Sequence, residues 1–155
     1  MLKKLCLFIF VITSLFIFTA CGTKNVEGTL EDIMTKIYSD IPEDERPMML
    51  VNTEVTEENI EYFLGAADIE YESALASESG VGSIAHSVVL VRTKENADVE
   101  SIKAKIKDKI NPRKWICVGV EKEDVIVESK GNLIILILVE DAKTRETLNK
   151  GFDNL

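Results

Sequence analysis

Few side chains in this 155-residue chain have the types and spacing to do chemistry. His86 is the single histidine, with Ser87 next to it and Ser83 three residues before. A serine or cysteine becomes a nucleophile when a base takes its proton and a third group orients that base. Ser83, Ser87 and Cys117 are therefore candidate nucleophiles of a small hydrolase, with His86 as base. This assignment requires His86 within hydrogen-bond reach of one of them and a carboxylate behind it. The plainer expectation is a hydrogen-bonded structural histidine. His86 falls on the strand series Ile84, His86, Val88, Leu90, and the chain has no Gly-x-Ser-x-Gly turn. One histidine excludes the His-rich metal sites. Gly80-Val81-Gly82-Ser83 resembles a phosphate loop, but it leads into a strand and lacks the helix N-terminus that would hold a phosphate. No cofactor is expected.

Binding chemistry concentrates at Arg113-Lys114-Trp115. An indole beside two cations could stack on a glycan or peptide. The competing expectation places Trp115 in the core with Ile116 and Val118. Trp115, Arg113 and His86 are the candidate binding residues. Pro42 to Pro47 is acidic, but without the liganding order of a calcium loop it reads as a solvated turn.

These residues need a scaffold, and periodicity supplies its outline. Thr29 caps a helix carrying Leu30, Ile33, Met34, Ile37 and Ile41 on one stripe, which Pro42 ends. Met48 to Val55 is extended. Thr56 caps a short helix that Gly65 stops. Ile69 to Ser77 alternates as a strand, and Ser83 to Arg92 returns as another. Asn96 or Asp98 caps a helix through Ile110 with outward lysines. Trp115–Val120 and Val125–Glu128 read as one strand region with a break. Leu133 to Val139 is seven apolar residues in a row, a strand buried on both faces. Asp141 starts the last helix. The expected fold is α+β: a four-stranded antiparallel sheet with helices packed on it and a possible ββα repeat at 69–110 and 115–153. Both sheet faces need cover, from the helix at 29–41 or from a partner.

The N-terminus sets the address. Lys3 and Lys4 precede an apolar run that ends at Phe18-Thr19-Ala20-Cys21. A basic start, an apolar core and small residues at the end make an export signal. As a helix, Leu5 to Ala20 is about 24 Å long, short of the roughly 30 Å of a hydrocarbon core. Thr19-Ala20-Cys21 resembles the lipobox of bacterial lipoproteins, with Phe18 where that pattern usually carries Leu. The resemblance implies that Cys21 is diacylated and becomes the first mature residue. The expected organisation is a signal at 1–20, a lipidated Cys21 with a tether to residue 28, and one domain at 29–155.

Loss of Lys3 and Lys4 leaves 16 basic side chains against 27 acidic ones, a net charge of −11. Such a surface excludes nucleic acid as a partner and does not favour adhesion to anionic lipid. Cys117 is then the one cysteine not removed or acylated. It has no disulfide partner within the domain and is expected as a small buried hydrophobe.

Asn111-Pro112-Arg113-Lys114-Trp115-Ile116-Cys117-Val118, Ser83 to Val91 and Tyr62-Phe63-Leu64-Gly65 together resemble a bacterial lipoprotein family, domain of unknown function 4358, found mostly in Gram-positive bacteria. The resemblance spans about residues 29–153. It implies an exported lipoprotein and brings no activity or catalytic residue. The combined expectation is a lipid-anchored domain on the extracytoplasmic face of the cell membrane. It binds an envelope protein or cell-wall ligand, with the His86 hydrolase as the alternative.

Overall fold

The computed structural model describes residues 24–155, so the export signal and Cys21 lie outside the described residues. Nine elements follow in order: α1 (Leu30–Ile37), β1 (Leu50–Glu54), α2 (Ile60–Leu64), β2 (Ser73–Ser79), β3 (His86–Arg92), α3 (Val99–Lys109), β4 (Ile126–Lys130), β5 (Leu133–Val139) and α4 (Ala142–Asp153). Three of the expected caps are in place; Thr56 is not a cap, because α2 starts later, after Asn59, whose Oδ1 accepts from the Thr56 N–H. Thr29, Asp98 and Asp141 accept from Asp32, Ser101 and Thr144 backbone N–H groups, which satisfies donors that the first helical turn leaves open.

The fold is α+β with an antiparallel sheet of five strands, in the order β1-β2-β3-β5-β4. The sequence led to four. The extra strand is the extended segment after Met48, which pairs with β2 from Leu50↔Ser79 to Glu54↔Leu75. Its burial is low, so it carries no alternation of apolar residues to mark it.

β3 and β5 are central and buried on both faces, as their unbroken apolar runs require. Two cores result. On one face Ala74, Ala76, Val89, Ile134 and Leu136 meet α2 and Ile106 of α3. On the other Leu75, Val88, Leu90, Ile135 and Ile137 meet α1 and α4. The second face is thus covered by the chain's own helix at residue 30, and no partner is needed there. The ββα repeat holds in element order but not in packing. A twofold axis relating the antiparallel neighbours β3 and β5 would put α3 and α4 on the same face, whereas they lie on opposite faces.

The expected strand at Trp115–Val120 does not form. Cys117 has a φ of 62°, the left-handed region that breaks an extended run. The Ile116 N–H bonds Gly82 O at 2.8 Å and the Val120 N–H bonds Pro112 O at 2.8 Å, which folds the segment into a loop over the β2–β3 turn.

The start of the domain is strapped down. Arg92 donates to the Val26 and Gly28 carbonyls, each at 2.8 Å. Residues 24–28, expected as tether, therefore lie against the end of the sheet formed by Arg92 and the β4–β5 turn.

Candidate functional site

β-strand alternation sends His86 and Ser87 to opposite faces. His86 is 3 % exposed and lies on the α1/α4 face. Its Nε2 is 2.7 Å from Tyr38 Oη at the end of α1. Burial pushes the imidazole down to about 4, against a smaller opposing pull from Glu78. The ring is neutral, and its tautomer sets which of Nε2 and the phenol donates in this bond. Ser77 in turn hydrogen-bonds the Tyr38 hydroxyl, and burial holds that phenol well above its ordinary range. The chain of bonds from Ser77 through Tyr38 to His86 ties α1 to the sheet. Ser83 and Cys117 are exposed, and Ser87 lies on the far face. The structure does not bring His86 together with Ser83, Ser87 or Cys117. His86 is a hydrogen-bonded structural histidine. Cys117 is not the buried hydrophobe expected, because its loop stands off the core.

Trp115 is 9 % exposed and packs in the α2/α3 core, so the indole is core and not an open stacking surface. Arg113 is exposed and its guanidinium pairs with Glu121. Lys114, between them, turns inward. Its side chain is 3 % exposed and its Nζ lies 2.5 Å from Glu78 Oε2. Ser87 Oγ is 3.3 Å away. The ammonium also stands 4.1 Å, 4.9 Å and 5.2 Å from the ring centres of Tyr62, Phe63 and Trp115, within cation–π range of all three. Tyr62 Oη donates to Glu78 Oε1 at 2.5 Å. Glu78 Oε2 has no hydrogen-bond partner besides this ammonium. Burial lowers the Lys114 ammonium from its usual range, and Glu78 opposes that shift. Burial, then the Glu78 carboxylate, raises the Tyr62 phenol.

The sequence pointed to the Arg113–Trp115 motif but missed Glu78 and Tyr62. One signal was present. Glu78 continues the series Ala74, Ala76 on a face that is otherwise apolar, and an acid there needs a buried cation.

The surface above this ion pair is apolar. The described residues expose five large hydrophobic side chains: Met48, Met49, Val51, Tyr62 and Ile116, the first and last at 70 % and 71 %. All adjoin the run from Glu78 to Gly82. Val51 is the cross-strand partner of Glu78, and Tyr62 bonds it. Met48 O accepts from Ser79 Oγ at 2.9 Å. Met49 Cβ and Ile116 Cδ1 lie 3.6 Å and 3.4 Å from where side chains on Gly80 and Gly82 would start. Such a gathering marks a contact surface more than it suits chemistry. Five surface clefts, one of them beside β1 at Pro47, Leu50 and Asn52, are lined by none of His86, Ser83, Ser87 and Cys117. Among the described residues no cluster of three or more His, Cys, Asp or Glu is placed to hold a metal, and no helix is long and apolar enough to cross a membrane.

Searches of family models, curated proteins and solved structures found no match to this chain.

Proposed function

We propose that the chain is a lipoprotein of the kind its motifs resemble. It is held to the extracytoplasmic face of the cell membrane by lipid on Cys21 and acts as a non-enzymatic binding module in the cell envelope. One observation carries this reading: the two ends of the sheet differ. The docked segment 24–28 enters at the Arg92 end. The exposed hydrophobic side chains gather at the other end, across the length of β3. Three peptide steps separate Cys21 from Lys24, a reach of about 10 Å. A lipid on Cys21 therefore holds the Arg92 end close to the bilayer and turns the apolar end outward. His86 supports no hydrolase here, because its Nε2 faces Tyr38 in the core.

Crosslinking in intact membranes, followed by pull-down of the chain with Cys21 present or replaced by Ser, tests the reading. A reproducible envelope partner whose capture falls when the anchor is lost is the expected result. Retention of the Cys21→Ser chain in the membrane at wild-type level would overturn the anchor.

A further inference from the structure

β1 is an edge strand, and among the described residues no strand pairs with its outer side. Gly80 N–H bonds Met49 O at 2.9 Å and Val55 N–H bonds Ala74 O at 3.0 Å. In an antiparallel ladder, residues that exchange bonds alternate with residues whose N–H and C=O point away. Met49, Val51, Thr53 and Val55 therefore bond β2, and Leu50 and Asn52 aim their backbone groups outward. β4, the other edge, is treated differently. Lys103 lies 4.0 Å from its Glu128, and its Lys130 Nζ donates to the Asp153 and Leu155 carbonyls of the C-terminus. Charges and covering groups of this kind keep an edge from pairing. No lysine or proline interrupts Leu50–Glu54.

The charge around β1 is mostly negative, with Glu45 alone among its acids paired to a lysine, Lys143, at 3.2 Å. Residues 43–61 hold seven acids and one base. The base, Arg46, is turned in to the Tyr38 and Ile41 carbonyls. A second copy would bring the same acids against these, and an anionic bilayer would be repelled as well. A basic chain would be attracted.

We propose that β1 is a docking edge for an extended, basic segment of a partner polypeptide. The segment adds as a sixth strand through the Leu50 and Asn52 backbone groups, with apolar side chains laid on Met49 and Val51. Main-chain bonds supply affinity in such strand addition, and alternate side chains supply selectivity. The proposal rests on the binding-module reading and names its partner class.

The probe is a fluorescent peptide of alternating Lys and Val, titrated by anisotropy into the full chain in neutral detergent. Two controls accompany it: a Glu/Val peptide, and a Lys/Val peptide of equal charge with prolines that cannot pair. Binding of the Lys/Val peptide alone is expected, weakened by salt. Asn52→Pro removes only an outward N–H, and is expected to lower affinity tenfold or more. Val51→Lys, which leaves the backbone bonds intact, should do likewise if Asn52→Pro fails to fold. Equal binding of the proline peptide, or wild-type affinity in both variants, would overturn strand addition. Self-association lost in Asn52→Pro would make a second copy the occupant. Should membrane crosslinking still capture a partner with both variants at wild-type yield, the edge proposal falls and the binding-module reading stands.

Discussion

Glu78 and Lys114 hold opposite charges where the chain has excluded most of the water. Desolvating two charges costs several kcal/mol each, so such a pair is held by geometry and added bonds. Tyr62, Ser87 and three ring faces supply these here. Removal of one partner is the severe change. Glu78→Gln is expected to lower stability by about 3 kcal/mol, the usual cost of leaving a buried charge alone. Glu78→Gln with Lys114→Met should regain most of that loss in urea unfolding, and additive costs would show that the two charges do not act as a pair. His86 gives a prediction in pH. An unfolded histidine takes up a proton near 6.5, the folded one only near 4. The unfolded state binds the proton first, so the stabilisation is complete above pH 6.5 and is lost progressively as pH falls toward 4. Linkage puts the loss between pH 7 and pH 5 at about 2 kcal/mol. His86→Gln should lack that component, seen as a shallower fall in urea midpoint over the same range. An equal fall in both proteins would remove His86 as its source.

Gly65 shows how an element boundary doubles as a packing contact. It ends α2 with a φ of 85° and its N–H bonds Glu61 O at 2.9 Å. The sequence marks it as a helix stop, because only glycine adopts that conformation freely. A second constraint is invisible in sequence: a Cβ there would come within 2.4 Å of the Ile110 backbone N at the end of α3. Gly65→Ala therefore meets both an unfavourable φ and a backbone clash. A loss of about 3 kcal/mol or more is expected in thermal or urea unfolding, and a loss below about 1 kcal/mol would mean that α3 yields easily. The same division runs through the other elements. The caps at Thr29, Asp98 and Asp141, the helix stripes and the run at β5 are local patterns, and they were legible. β1 was not placed in the sheet because an exposed edge strand has no apolar period. The loop at Trp115 looked like a strand because Ile116 and Val118 alternate with small residues, while the left-handed turn at Cys117 depends on contact with the β2–β3 turn. The site was half legible for the same reason. Lys114 stood out beside Trp115, but its partner Glu78 lies 36 residues earlier and meets it only through the fold.

At the scale of the whole molecule, orientation is the property that links fold to the proposed role. A domain on a long flexible tether presents every face equally. Here Arg92 grips the backbone at Val26 and Gly28, and the three peptide steps from Cys21 to Lys24 can reach no further than about 10 Å. The seven residues of β3 then span about 20 Å from the Arg92 end to the His86 end. Cys117, exposed in the loop over the β2–β3 turn, sits at the far end and offers a thiol for a dye. In vesicles carrying the acylated protein and an acceptor lipid, a donor on Cys117 should transfer energy weakly. A donor at the Arg92 end, placed by Lys94→Cys in a Cys117→Ser background, should transfer strongly. Arg92→Gln releases the strap and lengthens the free chain by the residues it held. The two efficiencies should then converge, while the unfolding midpoint of the domain moves little. Equal transfer from both positions in the wild-type chain would show that the domain lies on its side, and the outward display of Met48, Met49 and Ile116 would be lost with it.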